Sequence, residues 1–298
     1  VAMESHLLYH HLPLEEARNI GIVGCVQGIV PGFEDGYWEA RLNLAKMMEL
    51  ALHDGKDPGT GLQLGPQTGD ANAFGTYDEL YRAVVKQIEH FVPLARQICR
   101  ISWSIQRDFP LPFGSTLVND CVEVGKDVTD GGARYSFGDG VNMVAVVDLA
   151  NSLATVKKLV FEDKKLSMPQ LREALAADFE GHEEIQQMCL NAPKYGNDDE
   201  YGDSIARDLF RRCFEEHQRY PDHLGRPVRP SAYSVVAHFA LGRFTGALPN
   251  GRKARRALTD GTVSAQPGTD KNGPTALIRS AARALDAIKS GNTHLNMK

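Results

Sequence analysis

One cysteine stands in a setting that favours chemistry over packing. Cys25 has Gly24 before it and Gly28 three residues after it, and it directly follows the apolar stretch 20–23. Glycine lets the backbone turn sharply and lets another molecule approach closely, neither of which a packed core cysteine needs. A thiolate nucleophile would also need a basic partner and positive surroundings, which the sequence does not locate. On spacing alone, a reactive Cys25 and a structural Cys25 both stay open.

The remaining cysteines are typical of packing residues. Cys99, Cys189 and Cys213 fall within helical patterns, where a reduced thiol behaves as a small hydrophobic side chain. The five cysteines are an odd number and widely spaced, and a chain of 298 residues needs no disulfide staples. The sequence therefore predicts reduced thiols rather than a disulfide framework.

Familiar catalytic and ligand-binding motifs are absent from the sequence. It contains no phosphate-binding loop, no helical zinc motif, no closely paired cysteines and no serine nucleophile elbow. Gly59, Gly61 and Gly65 have the wrong spacing for a dinucleotide fingerprint. His6 and His10 could share a helix face, but no third ligand is in reach. We therefore expect neither a metal site nor a bound cofactor.

Composition excludes several classes of partner. Lys and Arg total 33 against 38 for Asp and Glu, a net charge of −5, without a long basic cluster, so we expect no nucleic-acid partner. No stretch reaches the ~18 apolar residues of a membrane span, and the first residues lack a signal-peptide pattern. We expect a cytoplasmic protein with a large core. Without an initiator Met or a capped end, the chain is interpreted as part of a longer protein.

Alternating helices and strands must position these residues. Residues 14–23 predict a short helix and then a buried strand that ends at Gly24 and Cys25. A helix over about 37–53 would carry Glu39 and Arg41, whereas the glycine-rich stretch 131–135 would break helix. Further predicted elements are a strand over 234–239 and helices over about 80–103, 147–161, 167–179, 204–217 and 275–289. This alternation favours an α/β layered or barrel fold.

The surroundings of Cys25 begin a longer series of ordered segments. After Gly24, Cys25 and Val26 come residues 31–32, 35–36 and the helix start at 43–46. The series continues with 125–135, 193–198, 246–254, 270–275 and 295–298. In this order the segments resemble the glycyl radical enzymes, a family that includes pyruvate formate-lyase. The dehydratases, choline trimethylamine-lyase and arylacetate decarboxylases are the branch that they resemble most.

The resemblance implies part of a ten-stranded α/β barrel surrounded by helices, in which the cysteine loop meets a glycyl radical loop. Residues 1–298 would form a single partial catalytic domain, without the amino-terminal part and without the radical-bearing glycine. An activating partner enzyme that uses S-adenosylmethionine and an iron–sulfur cluster would install the radical on that glycine. Cys25 would relay it to a small-molecule substrate in a pocket closed to water. The family also implies a homodimer.

Three positions distinguish the chain within this family. Gly24 stands where pyruvate formate-lyase carries a second cysteine, which argues against thiolytic cleavage of a ketoacid. Gln27 stands where dehydratases and many lyases carry a glutamate, and an amide cannot take up a proton near neutral pH. Diol dehydration would therefore need Glu39, which matches an active-site aspartate of glycerol dehydratase, to transfer the proton.

Two further positions match substrate contacts in the family. Arg41 could hold a substrate carboxylate in a bidentate pair, or it could form a surface ion pair. Trp38 could form a pocket wall or pack in the core.

Cys121 opens a cysteine-valine-glutamate triplet, but in a region that the family uses structurally. His238 lies in an apolar strand pattern that is typical of a core residue.

Three functions are compatible with these residues and this resemblance. The favoured one is a glycyl radical enzyme of anaerobic metabolism, in which Cys25 abstracts hydrogen from a small polar substrate. Cleavage of a C–X or C–C bond would follow, as in lyases, dehydratases or decarboxylases. The second is radical addition of a substrate to fumarate, which Gln27 and Arg41 favour and Gly24 weakens. The third is a catalytically silent barrel that acts as a binding subunit.

Overall fold

The structure, a computed structural model, describes residues 2–23, 27–35, 38–135, 139–222, 224–226, 228, 231–290 and 293–297. At residues 2–3, 27, 38–39 and 139–140 the description is confined to the backbone. The described strands are β1 Gly21–Val23, β2 Gln27–Ile29, β3 Trp38–Asn43 and β4 Asp139–Val144. The described helices are α1 Ala2–Tyr9, α2 Leu14–Arg18, α3 Leu44–Leu52, α4 Tyr77–Arg107, α5 Pro112–Ser115, α6 Asn119–Val124, α7 Val146–Val156, α8 Met168–Ala176, α9 Glu183–Asn191, α10 Glu200–Gln218, α11 Ala237–Arg243 and α12 Gly273–Ala284. Short 3₁₀ turns lie at Ala71–Ala73 and Val128–Asp130, and a π-helical turn lies at Lys157–Glu162.

Two parallel strands, β3 and β4, organise the helices around them. They pair in register from Trp38 opposite Asp139 to Asn43 opposite Val144, and a parallel bridge joins Asn142 to Ser231. Helix α3 follows β3 and helix α7 follows β4, and α4 packs on both strands. Parallel strands flanked by helices confirm the α/β class. Within the described ranges the sheet is not closed into a barrel.

The helix predicted over about 37–53 is wrong in its first part, because residues 38–43 form strand β3 and the helix α3 begins only at Leu44. Asn43 ends the strand and caps the helix, since its side-chain oxygen accepts a hydrogen bond from the Lys46 amide at 3.3 Å. Leu42 is buried and Arg41 is exposed. This alternation has the two-residue period of a strand, which is too short here to stand out beside the apolar helix that follows.

Helix α4 forms one wall of the main core. Thr76 and Glu79 close a capping box at its start, and the helix continues through Pro93. Leu80, together with other apolar residues of α3, α7 and α10, is fully buried in one cluster against the strands. No described helix combines the length and apolarity that a bilayer span requires.

Most of the other predicted helices are confirmed. Helix α8 starts with a capping box formed by Ser167 and Gln170, as its spacing predicted. The predicted strand over 234–239 is wrong, because Val235 and Val236 form a turn and α11 begins at Ala237. The Ala237 amide donates to the Ser234 carbonyl at 2.7 Å and closes this turn. No described strand pairs with residues 234–239, so their strand propensity is not supported by hydrogen bonds to a neighbouring strand.

The four described cysteines are buried, as their positions in the sequence predicted for three of them. Cys99, Cys189 and Cys213 lie in α4, α9 and α10 with no exposed surface. Burial raises the pKa of Cys189 and that of Cys213 to about 12 each. Burial, and then the nearby charge of Asp127, also raises the pKa of Cys121 in α6. Cys121 is therefore a packed thiol in this fold.

These pKa values predict slow alkylation of the buried thiols. At pH 8 a thiol with a pKa near 12 has roughly a thousandfold less thiolate than an unperturbed one. In native protein treated with iodoacetamide, we expect Cys189 and Cys213 to react at least that much more slowly than in urea. Peptide mass spectrometry over a time course measures each rate. Labelling of Cys189 or Cys213 at the same rate in native and unfolded protein would contradict their burial.

Candidate active site

A short hairpin flanks the candidate radical cysteine. Strands β1 and β2 pair antiparallel, with Gly21 opposite Ile29 and Val23 opposite Gln27. The three residues that join them in the sequence are 24–26, so Cys25 lies between the strands in the chain but outside the described residues. A strand leading to the cysteine is thus confirmed, but its burial is not. Val23 is 41% exposed in this chain.

The chain that leaves the hairpin is fixed immediately after β2. The Glu34 carboxylate accepts a hydrogen bond from the Val30 amide at 2.8 Å, which closes the turn between them. Tyr135 then pairs with the same segment: its amide donates to the Phe33 carbonyl at 2.9 Å, and its carbonyl accepts from the Asp35 amide at 3.1 Å. Because these are backbone hydrogen bonds, they fix the path of residues 33–35 directly.

Arg134 connects the segment before the hairpin to the segment after it. Its guanidinium donates two hydrogen bonds to Asp120 of α6, at 2.7 and 2.9 Å, and one to Glu16 of α2 at 2.8 Å. The same guanidinium lies 4.5 Å from the centre of the Phe33 ring. Helix α2 leads into β1, and Phe33 follows β2, so one side chain contacts the segments on both sides of the hairpin.

The glycine-rich stretch 131–135 brings Arg134 and Tyr135 to this position. Asp127 caps the 3₁₀ turn that precedes it, accepting hydrogen bonds from Thr129 and from the Ser115 hydroxyl at 2.8 Å. Although burial opposes ionisation, these hydrogen bonds lower the pKa of Asp127 to about 2. At Gly132 a Cβ atom would lie 2.3 Å from the Lys126 carbonyl oxygen, so only glycine allows this close return of the chain.

The parallel strands present one apolar and one polar row. Ala40 and Leu42 stand opposite Val141 and Met143, and these four pack in or against the main core. The alternate row places Arg41 opposite Asn142, which is bridged in turn to Ser231. Residues paired in register share a face of the sheet, so the row of Arg41 lies on the face away from that core. Arg41 is exposed there.

Asn142 is a buried amide with an unused donor. Its side-chain oxygen accepts a hydrogen bond from the Ser231 hydroxyl. The residue has no exposed surface, and among the described residues no acceptor lies within hydrogen-bonding distance of its Nδ2 atom. Buried donors are nearly always paired, because leaving one unpaired costs about 1–3 kcal/mol. A group outside the described residues that accepts from Nδ2 would remove this cost.

The structure brings some of the predicted site residues together. Arg41 lies in β3 rather than one helical turn beyond the loop, and the backbone of Glu39 belongs to the same alternate row of that strand. The backbone of Trp38 belongs to the row of Ala40 and Leu42. Gln27 begins β2, directly after the three connecting residues. How Cys25 stands relative to these positions falls outside the described residues, so their roles stay predictions.

Sequence reasoning missed the residues that support the hairpin. Arg134 and Tyr135 lie in a segment that the sequence marks only as glycine-rich and similar to the family, and no motif predicts the hydrogen bond from Val30 to Glu34. A salt bridge between residues so distant in sequence carries no local signal. The pairing of Asn142 with Arg41 was missed for the same reason, since β4 was not predicted.

The histidine candidates take no part in this arrangement. The rings of His6 and His10 are 4.6 Å apart in an edge-on arrangement, and a His6 ring nitrogen lies 2.8 Å from the Ile288 carbonyl oxygen. Within the described part of the chain no group of three or more potential metal ligands converges. His238 lies in helix α11 rather than in a strand and is 9% exposed, which agrees with a packed residue.

Comparison with known sequences gives a family and named relatives. The family model described as "Pyruvate formate lyase-like" matches residues 2–242. The trans-4-hydroxy-L-proline dehydratase of Clostridioides difficile is 38% identical over 289 residues, which cover 96% of this chain and 36% of that protein. An isethionate sulfite-lyase of Bilophila wadsworthia is 39% identical, covering 89% of this chain and 32% of the lyase. Indoleacetate decarboxylase of Tractidigestivibacter scatoligenes is 34% identical, covering 96% of this chain and 35% of the decarboxylase.

Solved structures share the fold over the same extent. The substrate-bound hydroxyproline dehydratase of C. difficile superposes with a TM-score of 0.94 at 37% identity, covering 99% of this chain and 37% of that structure. A glycyl radical enzyme from Archaeoglobus fulgidus superposes with a TM-score of 0.89 at 31% identity, covering 98% of this chain and 37% of the other. The chain thus spans about a third of the length of its relatives. Because the family model and the relatives match along most or all of it, this chain belongs to the pyruvate formate lyase-like family of glycyl radical enzymes.

Proposed function

We propose that the chain is the cysteine-bearing part of a glycyl radical lyase that cleaves a C–X or C–C bond in a small polar substrate. One observation carries the proposal: Cys25 stands between two paired strands, in a chain that superposes on a hydroxyproline dehydratase at a TM-score of 0.94. The relatives' names describe the loss of water, of sulfite and of carbon dioxide. None of these names supports fumarate addition or a silent barrel.

The proposed role of Cys25 is to relay hydrogen. A glycyl radical on a glycine outside this chain, installed by an activating enzyme that uses S-adenosylmethionine and an iron–sulfur cluster, would supply the unpaired electron. Cys25 would give its thiol hydrogen to that glycine, take a hydrogen from the substrate, and return it to the product radical after the bond has broken. That return leaves the sulfur as a radical, which takes back the hydrogen held by the glycine. The thiol and the glycyl radical are both restored in this way, and no further oxidant or reductant is consumed. Exclusion of water protects the intermediates.

Gln27 decides which leaving groups are favoured. Water leaves from carbon only when its oxygen receives a proton, and the Gln27 amide has no proton of suitable acidity to give. Dehydration would therefore depend on Glu39, the one carboxylate that we assign to this site. Cleavage that releases a stable anion or carbon dioxide needs no proton at the leaving group. Gln27 therefore favours a lyase or decarboxylase over a diol dehydratase.

Arg41 supports an anionic substrate. It is exposed on the polar row of the sheet, with Asn142 beside it. Hydroxyproline, isethionate and indoleacetate, the compounds in the relatives' names, each carry a carboxylate or a sulfonate. A guanidinium binds either group through paired charge-assisted hydrogen bonds. We therefore assign Arg41 to the anionic group of the substrate. Trp38, whose backbone belongs to the core row of Ala40 and Leu42, is assigned to packing rather than to the pocket.

The rest of the assembly follows from family membership. We propose that residues 1–298 belong to one catalytic domain, a ten-stranded barrel completed by further chain. The whole enzyme would be a cytoplasmic homodimer of anaerobic metabolism, with no bound organic cofactor or metal.

The function is tested by activating the natural full-length protein anaerobically and supplying a panel of substrates. Hydroxyproline, isethionate, 2,3-dihydroxypropane sulfonate and indoleacetate represent the anionic class, and glycerol represents the neutral diols. We expect release of product from at least one anionic compound and little dehydration of glycerol. A protein that carries the glycyl radical but converts none of the panel would count against the lyase and for the silent barrel.

Replacement of Arg41 tests the anion contact. We expect Arg41→Met to raise KM for the anionic substrate about 30-fold, since a hydrogen bond to a charged group contributes about 2 kcal/mol. The KM of Arg41→Lys should lie between those of the parent and of Arg41→Met, because lysine keeps the charge but not the bidentate geometry. Arg172→Met is the matched control, since Arg172 pairs with Asp70 at 3.2 Å on helix α8, away from the site. An unchanged KM in Arg41→Met would contradict the assignment.

A further inference from the structure

We propose that Arg134 is a positioning residue for hydrogen transfer at Cys25. It acts by holding the segments on both sides of residues 21–29, the cysteine hairpin. The inference rests on the proposed function and adds to it a residue that does not touch the substrate. Strands β1 and β2 have three residues each. A two-stranded hairpin is marginally stable on its own, so the placement of its connecting residues depends on contacts outside it.

The first contact fixes the approach to the hairpin. Glu16 lies in α2, and only Asn19 and Ile20 separate that helix from β1. The Glu16 carboxylate accepts from Arg134 at 2.8 Å, and its side chain is 18% exposed, so solvent screens the pair only in part. Any shift of α2 is therefore passed to β1 within two residues.

The second contact fixes the exit. Phe33 lies under the Arg134 guanidinium at 4.5 Å, and the Tyr135 backbone, the next residue along, forms hydrogen bonds with residues 33 and 35. Removing the guanidinium would leave the backbone pairing in place but would free the Phe33 ring. Glu34, whose carboxylate closes the turn onto Val30, lies between the two paired residues.

The third contact supplies a fixed support. Asp120 holds Arg134 with two hydrogen bonds, and it belongs to α6. The first residue of that helix also reaches the exit segment, since the Asn119 amide donates to the Gly32 carbonyl at 2.8 Å. Gly32 has φ of +79°, and a Cβ there would lie 2.9 Å from the side-chain Nδ2 atom of Asn119. Helix α6 therefore supports both Arg134 and the turn that follows β2.

These contacts should affect reaction rate more than stability. The Arg134 side chain is 42% exposed, and ion pairs at such positions contribute little to the free energy of unfolding. Hydrogen transfer, in contrast, requires the sulfur and the acceptor carbon to approach closely, and a displacement of about 1 Å can lower a rate about a hundredfold. A loop that loses one of its anchors moves over distances of this order without unfolding.

Solvent deuterium exchange measures the hydrogen transfer without a substrate. A thiol exchanges its hydrogen with water, so in D₂O the Cys25 thiol carries deuterium. Transfer of that deuterium to the glycyl radical, followed by return of the original hydrogen to sulfur, leaves deuterium on the glycyl carbon. With the thiol equilibrated in D₂O before the radical is installed, the hydrogen splitting of the radical spectrum then collapses at a rate that reports the transfer between sulfur and carbon.

The test compares Arg134→Met and Arg134→Lys with the parent and with Arg211→Met, in the activated full-length protein. Arg211 is a matched control: it is 50% exposed on α10 and pairs with two carboxylates, Asp208 and Glu215. We expect Arg134→Met to keep the parental radical content and melting temperature while exchange and kcat fall at least tenfold and KM changes less than twofold. Arg134→Lys should recover part of the rate, and Arg211→Met should match the parent.

Several results would overturn the proposal. Parental exchange in Arg134→Met would show that the hairpin needs no such anchor, and an equal loss in Arg211→Met would show a general effect of removing a surface arginine. Loss of radical content in the Arg134 variants alone would place their effect in activation instead. If the activated parent carries no glycyl radical and forms no product, the proposed function itself fails, and the role of Arg134 fails with it.

Discussion

A distant part of the chain holds the segments on either side of the hairpin 21–29 through backbone hydrogen bonds and an ion pair. Tyr135 pairs with residues 33 and 35, just after the hairpin, and Arg134 reaches Glu16, just before it. Neither three-residue strand could hold a loop in place alone. The sharp return of the chain at Gly132 and the capped turn at Asp127 bring Arg134 and Tyr135 to this position. A radical relay needs such support, because the sulfur must stop within reach of two different carbon atoms in turn.

The parallel strands separate a face that packs in the core from a face to which we assign the substrate. The row of Ala40 and Leu42 joins the core formed with α3, α4 and α7, which fixes the strands. The alternate row carries Arg41 and Asn142, polar groups that would weaken a core but that can bind a substrate. The buried Nδ2 atom of Asn142 has no acceptor among the described residues. Buried donors are nearly always paired, so we expect a group outside the described residues to accept this hydrogen bond.

Local signals were enough to predict some elements and not others. Helix α8 follows from the Ser167 and Gln170 capping box, whose partners are three residues apart. Strand β3 could not be predicted in the same way, because its pairing with β4 joins residues 38–43 to residues 139–144. The apolar run at 234–239 misled for the opposite reason: it has strand propensity, but no described strand pairs with it, and it folds into a turn and α11.

The site, too, contains residues that the sequence could identify and residues that it could not. The glycines around Cys25 left a reactive and a structural cysteine both open, and resemblance to a family supplied the roles predicted for Cys25, Gln27, Glu39 and Arg41. The supporting residues were beyond reach, because nothing near Arg134 in the sequence identifies Glu16 or Phe33 as its partners. A site residue can be recognised from its own chemistry, whereas a positioning residue is recognised only from its contacts.

Anaerobic electron paramagnetic resonance of the activated full-length protein tests the role of Cys25 most directly, with turnover measured on the same samples of the parent and of Cys25→Ala. The relay predicts a glycyl doublet of equal size in both proteins and product from the parent alone, because the radical is stored on the glycine and used through the sulfur. Product formation by Cys25→Ala at the parental rate would contradict it.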